Sequence, residues 1–144
     1  MTTMPAVFLG HGNPMNALEH NRYTDAWRLL GDSVPRPRAI LAVSAHWWTP
    51  DLRITTSPQP PTLHDFGGFP EALYRLSYPA PGSPELAGRI QVLLEAAGFP
   101  VKSDDARGLD HGTWSLLRHS HPEATIPVVQ LSLPRWAPRD LLRL

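Results

Sequence analysis

Residues 39–47 read AILAVSAHW and residues 6–14 read AVFLGHGNP, so that two apolar runs each lead into a histidine. Both runs are short, rich in aliphatic residues and free of charge, which is typical of a strand buried on both faces of a parallel sheet. In open α/β sheets, ligands bind beyond the carboxyl ends of the strands. We therefore expect His11 and His46 to meet at this edge, where two imidazoles favour a divalent metal.

Strand and helix patterns alternate along the rest of the chain, which indicates an α/β fold with a central, mostly parallel sheet and flanking helices. We expect strands at residues 5–10, 38–46, 52–56, 101–103 and 126–133. We expect helices at residues 23–30 (with Ala26, Leu29 and Leu30 facing inward), at 71–76, from the N-cap Ser83 to Gly98, and from Thr113 to Leu117.

Length and composition limit the classes of protein. The 144 residues suffice for one domain, residues 1–144, and a hydrophobic content of 42% suffices for a core. A net charge of zero argues against nucleic acid and anionic membranes as partners. The absence of cysteine excludes disulfides, thiolate metal sites and a cysteine nucleophile. With no signal peptide or membrane-spanning run, we expect a cytoplasmic protein, and homo-oligomerisation stays open.

The last residues predict that the domain is incomplete. Residues 138–144, PRDLLRL, begin like an amphipathic helix that stops after less than two turns. A helix of that length is marginal and buries little surface. We therefore expect a C-terminally truncated chain that represents the N-terminal part of a catalytic domain.

Two further histidines carry a pattern that suggests proton transfer. His64 and His111 each lie in a predicted loop beside aspartate and glycine, in HDFGG and LDHGT. Imidazole titrates near neutral pH, so a histidine beside a carboxylate is a candidate acid or base. The alternative is a pair of aspartate-capped turns. His11 has the alternative of lying in a tight turn with no ligand. His46 has the alternative of packing beside aromatic residues.

The remaining histidines receive no functional assignment, and several enzyme classes find no support. His20 lies in a polar stretch, while His119 and His121 lie at a predicted helix end, where cationic side chains are common. The chain contains no P-loop, no glycine-rich dinucleotide fingerprint and no Gly-x-Ser-x-Gly elbow. A hydrolase with a nucleophilic serine is therefore disfavoured.

Five motifs together resemble a known family. Residues 8–18, FLGHGNPMNAL, resemble the start of the 4,5-DOPA dioxygenase extradiol family, the class III, LigB-like ring-cleaving dioxygenases. Four more stretches resemble its later signatures in the same order: SAHW at 44–47, HDFGGFP at 64–70 followed by YPAPG at 78–82, RGLDHGTW at 107–114, and PVVQLS at 127–132. The resemblance covers nearly the whole chain and implies a LigB-like fold.

The resemblance also implies a function. It implies a non-haem divalent metal, Fe²⁺ or Zn²⁺, held by His11 and His46, with His111 and His64 as catalytic acid/base or substrate contacts. The implied reaction is cleavage of a catechol-type, DOPA-like ring with O₂. Family members are longer and carry further active-site histidines in a later portion that has no counterpart here. A zinc-binding hydrolase-like enzyme and a non-catalytic metal-binding remnant of the same fold remain alternatives.

Overall fold

A single four-stranded sheet organises the molecule in the computed structural model, which describes residues 3–135. The strands are β1 (Ile40–Thr49), β2 (Leu52–Thr55), β3 (Val101–Asp104) and β4 (Val128–Pro134). Their order across the sheet is β1-β4-β2-β3. The pairs β1–β4 and β2–β3 are parallel, and β2–β4 is antiparallel. The prediction of a mostly parallel α/β sheet is confirmed.

Within residues 3–135, four α-helices and one short 3₁₀ helix surround the sheet. They are α1 (Arg22–Ser33), α2 (Glu71–Tyr74), α3 (Pro84–Ala96) and α4 (His111–Ser120), with the 3₁₀ helix at Pro14–Ala17. The predicted boundaries of α3 are confirmed by their caps. The Ser83 hydroxyl accepts the amide of Leu86, and Gly98 adopts φ +88° just beyond the helix.

The two faces of the sheet carry separate hydrophobic cores. Adjacent residues of a strand point to opposite faces, and Val128 and Val129 of β4 accordingly belong to different cores. The Val128 core includes Trp114 of α4, and α1 packs outside α4. The Val129 core is covered by α3, which contacts β2 and β3. The part of the chain that the structure describes therefore forms three layers, in which α3 is the one helix on its side of the sheet.

The predicted strand at residues 5–10 is wrong. These residues adopt no regular secondary structure, and Phe8 is fully exposed. The pattern is that of a strand buried on both faces, but a strand also needs a hydrogen-bonding neighbour. Among the described residues, β1 pairs with β4 alone, and nothing pairs with residues 5–10.

The inward face predicted for the first helix is wrong for two of its three residues. Thr24 and Trp27 are buried in α1 and Leu30 is half-buried, whereas Ala26 and Leu29 are exposed. Asn21 caps the helix by accepting the amides of Tyr23 and Thr24, which fixes where its first turn begins. The stripe of α1 that faces inward runs through Thr24, Trp27 and Leu30.

Smaller differences concern the ends of elements. Helix α4 begins at His111 rather than Thr113, and β1 continues to Thr49. The helix expected at residues 138–144 lies outside the described residues. Within residues 3–135, no helix combines the length and apolarity needed to cross a membrane.

Candidate metal centre

Three imidazoles converge beside the carboxyl end of β1. The Nε2 atoms of His11 and His46 lie 2.7 Å apart. The ring of His111 is centred 4.1 Å from that of His46 and 5.0 Å from that of His11. One ring nitrogen from each residue lies within 4.8 Å of the others. The sequence placed His11 and His46 together, and the structure adds His111 to the same cluster.

A turn, rather than a strand, positions His11. Gly12 has φ +63°, a conformation that favours glycine and reverses the chain after His11. Asn13 then caps the 3₁₀ helix by accepting the amide of Met15. From within this helix, the Asn16 amide group donates to the His11 carbonyl oxygen at 3.1 Å. The GHGNP segment therefore orients His11 through its backbone.

An irregularity in β1 positions His46. The register with β4 shifts between Val43 and Trp48, so the strand bulges where His46 lies. Bulges re-aim side chains and are frequent beside active sites. The Ser44 hydroxyl accepts the His46 amide at 3.2 Å. A Cβ on Gly112 would lie 2.8 Å from His46 Cδ2, so glycine is required for the ring to occupy this position.

Asp65 orients His111. The Asp65 carboxylate accepts both the His111 backbone amide, at 2.9 Å, and its ring Nδ1, at 2.8 Å. An ionised carboxylate can only accept, so Nδ1 carries the proton. In the neutral form of this buried ring, the lone pair then lies on Nε2. The neighbour in sequence, Asp110, does not make this contact.

Asp110 instead anchors a buried polar network. Its carboxylate accepts the Ser44 hydroxyl at 2.7 Å and the Gln130 side-chain amide. Arg107 approaches the same carboxylate at 3.5 Å. Asp110 and Gln130 are completely buried. Through Ser44, this network connects the bulge that carries His46 with the start of α4, which carries His111.

The electrostatics favour neutral imidazole and ionised carboxylate. Burial, followed by the adjacent His111 and His46 rings, lowers the pKa of His11, so His11 is neutral at pH 7. Burial alone would raise the pKa of Asp65, but the hydrogen bonds from His111 outweigh it and lower that pKa to about 2. Neutral imidazole is the form that binds metals.

The donor set fits a divalent metal. The Nε2 atoms of His11 and His46 lie at hydrogen-bonding distance, 2.7 Å, and one ring nitrogen of His111 lies within 4.8 Å of both, so three imidazole nitrogens share one small volume. Imidazole nitrogens suit both zinc and iron. With two or three protein ligands, such a site leaves positions open for other molecules, as catalytic centres do.

His64 lies outside this cluster. Its Nε2 donates to the carbonyl oxygen of Leu76 at 2.8 Å. Its ring contacts Phe66, Tyr74 and Trp114. Phe66 in turn lies 5.5 Å from His111, edge to face. His64, Phe66, Tyr74 and Trp114 thus form an aromatic wall. Phe66 separates His64 from the imidazole cluster.

Some of the residues that position the histidines were not predicted from the sequence. The pairing of Asp65 with His111 crosses two motifs that are 46 residues apart, whereas the pattern only marked each aspartate beside its own neighbour. Ser44 and Gln130 gave no separate signal, although both lie in the quoted motifs. Of the unassigned histidines, His119 donates its Nε2 to the Asn16 carbonyl oxygen, a structural contact.

Comparison with known proteins finds a matching family and several similar relatives. Residues 9–143 match the family of the catalytic LigB subunit of aromatic ring-opening dioxygenase. The chain is 56% identical over 138 residues to 4,5-DOPA dioxygenase extradiol of Escherichia coli (strain K12), covering 95% of the chain and 50% of that relative. It is 47% identical to 4,5-DOPA dioxygenase extradiol of Beta vulgaris, over 88% of the chain and 48% of the relative.

A solved structure supports the same assignment. The crystal structure of the uncharacterized protein JW3007 from Escherichia coli K12 superimposes with a TM-score of 0.75 and 47% identity, over 94% of this chain and 50% of the other. The chain thus spans about half the length of the relatives that it matches. Taken with the imidazole cluster, these matches show that the chain belongs to the LigB family of aromatic ring-opening dioxygenases.

Proposed function

We propose that this chain forms the metal-binding part of an extradiol dioxygenase that opens the ring of a catechol-type substrate with O₂. The convergence of His11, His46 and His111 is the observation that carries the proposal. The names of the relatives, 4,5-DOPA dioxygenase extradiol, support a DOPA-like catechol as the substrate.

In this proposal, His11 and His46 hold a divalent metal through Nε2. The metal, Fe²⁺ for ring cleavage, would supply Lewis-acid activation of the catechol hydroxyl groups. The Ser44–Asp110 contact keeps the bulge of β1 in place and thereby keeps His46 aimed at His11. Gly112 leaves the space that the His46 ring occupies.

His111 is the proposed general base. Asp65 holds the proton on Nδ1, which leaves the Nε2 lone pair free to accept a proton from a catechol hydroxyl. The protonated imidazolium that results is stabilised by the same carboxylate. His111 can later return this proton from Nε2 as the ring opens.

The aromatic wall is the proposed surface for the substrate ring. Phe66 stands edge to face with both His111 and Phe69. His64 holds the far side of this wall through its contact with the Leu76 carbonyl. We propose that His64 acts by lining the site and positioning Phe66, while His111 transfers the proton.

Oxygen consumption tests the proposal. The protein is freed of metal, loaded with Fe²⁺ without oxygen, and then mixed with O₂ and a catechol. We expect catechol-dependent oxygen uptake and a ring-opened product, and none with hydroquinone, whose hydroxyl groups are not adjacent. Zn²⁺-loaded protein should be inactive.

Two outcomes would overturn the proposal. If Zn²⁺-loaded protein hydrolyses esters or amides and Fe²⁺-loaded protein consumes no oxygen, the chain is a zinc hydrolase. If metal binds and neither reaction occurs, the chain is a non-catalytic metal-binding remnant. In the expected case, His111→Gln abolishes uptake while metal remains bound, and His20→Gln, at an exposed histidine, leaves uptake unchanged.

A further inference from the structure

A half-open cleft of about 270 Å³ lies where α1, the end of α4 and the 3₁₀ helix come together. The side chains that line it include Arg28 of α1 and Arg118 and His119 of α4. Among residues 3–135, no aspartate or glutamate lines this space, and none of the three histidines of the candidate metal centre does. We call it the basic cleft.

The two basic residues at the end of α4 do not cap that helix. Basic side chains near a helix C-terminus commonly hydrogen-bond its last carbonyl groups. Here Arg118 Nε donates to the Ala17 carbonyl oxygen at 3.0 Å, and His119 Nε2 donates to the Asn16 carbonyl oxygen at 2.7 Å. Both contacts cross to the 3₁₀ helix, so they fix the positions of the two side chains at the cleft.

Both arginines keep donors that no part of the described chain uses. A guanidinium group has five N–H donors, and Arg118 uses only the one on Nε. Within residues 3–135, its two terminal nitrogens have neither a hydrogen-bond partner nor an ion-pair partner. Arg28 pairs with Asp25 at 2.9 Å through Nη1, and such a pair is weak at an exposed site. The cleft therefore presents two guanidinium groups, one from each of two helices.

The electrostatics of His119 show that both arginines act on the same space. Burial is the main cause that lowers the pKa of His119, and the hydrogen bond to Asn16 opposes it. The positive charges of Arg28 and Arg118 lower this pKa further. Both charges therefore lie close to one ring, although the two arginines belong to different helices.

We propose that the basic cleft is a binding site for a phosphate group. The guanidinium fork matches phosphate oxygens, and a phosphate group carries about 1.5 to 2 negative charges at pH 7. This charge balances the two arginines, and tetrahedrally arranged oxygens can accept hydrogen bonds from α1 and α4 at the same time. A simple carboxylate such as acetate carries one charge and holds its two oxygens in one plane. The ligand is free phosphate or the phosphate group of a small ester, whose remainder leaves through the open side.

Calorimetric titration with inorganic phosphate tests the site. The chain is used free of metal, so that phosphate has no ion to bind at His11 and His46. We expect one phosphate per chain, acetate to bind at least tenfold more weakly, and sodium chloride of equal ionic strength to give no saturable binding. A parallel titration with glycerol 3-phosphate distinguishes the two sources. Tighter binding than that of inorganic phosphate assigns the site to an ester, and weaker binding assigns it to the free ion.

Matched variants locate the bound phosphate. Arg28→Gln and Arg118→Gln should each weaken its binding at least tenfold. Arg89→Gln is the control, because it removes the same charge from an exposed position on α3, on the other side of the sheet. Arg118→Gln also loses the contact with Ala17, so circular dichroism establishes that each variant folds. The Arg28 side chain is 44% exposed, so Arg28→Gln isolates the effect of the charge from that of folding.

Three results would overturn the proposal. The first is the absence of saturable phosphate binding, or equally tight binding of acetate. The second is an equal loss in Arg89→Gln, which would show that only the overall charge matters. The third is a loss of phosphate binding in metal-free His46→Ala, which would place the phosphate at the imidazole cluster. None of these measurements involves a metal or oxygen uptake, so the proposal can fail while the proposed function stands.

Discussion

The two sides of the imidazole cluster are built differently. His111 is buried, begins a helix and is held by Asp65 at both its amide and its ring. His11 follows an exposed segment without secondary structure, and its ring Nδ1 has no hydrogen-bond partner among the described residues. The His111 side is therefore fixed by side-chain hydrogen bonds within the fold. The His11 side is fixed only by a turn and by the hydrogen bond from Asn16 to the His11 carbonyl oxygen.

Residues that stabilise the fold and residues proposed to bind a metal therefore lie on different sides of the cluster. A buried network that is fully hydrogen-bonded stabilises the fold, and breaking it leaves polar groups without partners. His11, whose half-buried ring follows an exposed segment, makes fewer such contacts, and a bound metal would be its main contribution to stability. Substitutions on the His111 side should therefore change the free energy of unfolding. Substitutions on the His11 side should change the affinity for a metal.

Asp110→Ala should have the largest effect on stability. It removes the acceptor for Ser44 and Gln130 in a place that water does not reach. We expect a loss of about 3 kcal/mol in the free energy of unfolding, measured by urea denaturation. Asp105→Ala is the control at an exposed aspartate, with an expected change below about 0.5 kcal/mol. Equal effects of the two substitutions would contradict the claim that buried hydrogen bonds stabilise the His111 side.

Gly112→Ala should come next. The new methyl group would lie 2.7 Å from Ser44 Oγ and 2.8 Å from His46 Cδ2, so both must move. We expect a loss of about 2 kcal/mol on unfolding, together with weaker metal binding by the displaced His46. Gly88→Ala in α3 is the control, because its added methyl group has open space. That control should gain about 0.5 kcal/mol, and a loss there would contradict the steric account.

Asp65→Asn should alter the dependence of stability on pH. The pKa of Asp65 is about 2 in the folded protein, below its ordinary value of 3.8, so ionisation stabilises the fold. This stabilisation is complete above about pH 5 and is lost as the pH falls from there towards 2. After allowance for solvent screening, wild type should lose about 1 kcal/mol more than Asp65→Asn over this range, in urea denaturation. Parallel curves would contradict the contact with His111.

Phe8→Ser should have the smallest effect. The side chain is fully exposed in the free chain, so its removal should change the free energy of unfolding by less than about 0.5 kcal/mol. Leu73→Ala, at a completely buried leucine, is the reference and should cost about 3 kcal/mol. A large loss with Phe8→Ser would show that residues before His11 are packed in solution.

Local patterns predicted much of the fold. The β-branched and aliphatic runs identified β1, β2 and β4. The Ser-Pro start and Gly98 identified α3. Helix caps and the spacing of apolar residues depend on neighbours within a few residues, so the sequence reports them directly. Residues 5–10 have the same kind of pattern as β1. Their pairing depends on a neighbour distant in sequence, which no local pattern reports.

The site was predictable in its residue types and less so in its connections. The meeting of His11 and His46 followed from the rule for α/β sheets, although His11 lies on a turn and His46 lies at a bulge inside β1. The pairing of Asp65 with His111 required the fold, since it joins two loops that only the tertiary structure brings together. An aspartate beside each histidine therefore indicated acid–base chemistry. The partner of His111 is Asp65, however, and not its sequence neighbour Asp110.

Metal titration tests the central claim, that His11 and His46 together hold one divalent ion. Calorimetric titration of metal-free protein with Zn²⁺ should give one ion per chain. His11→Ala and His46→Ala should each weaken binding at least tenfold, whereas His20→Ala should leave it unchanged. Unchanged affinity in His11→Ala and His46→Ala, or an equal loss in His20→Ala, would contradict the claim.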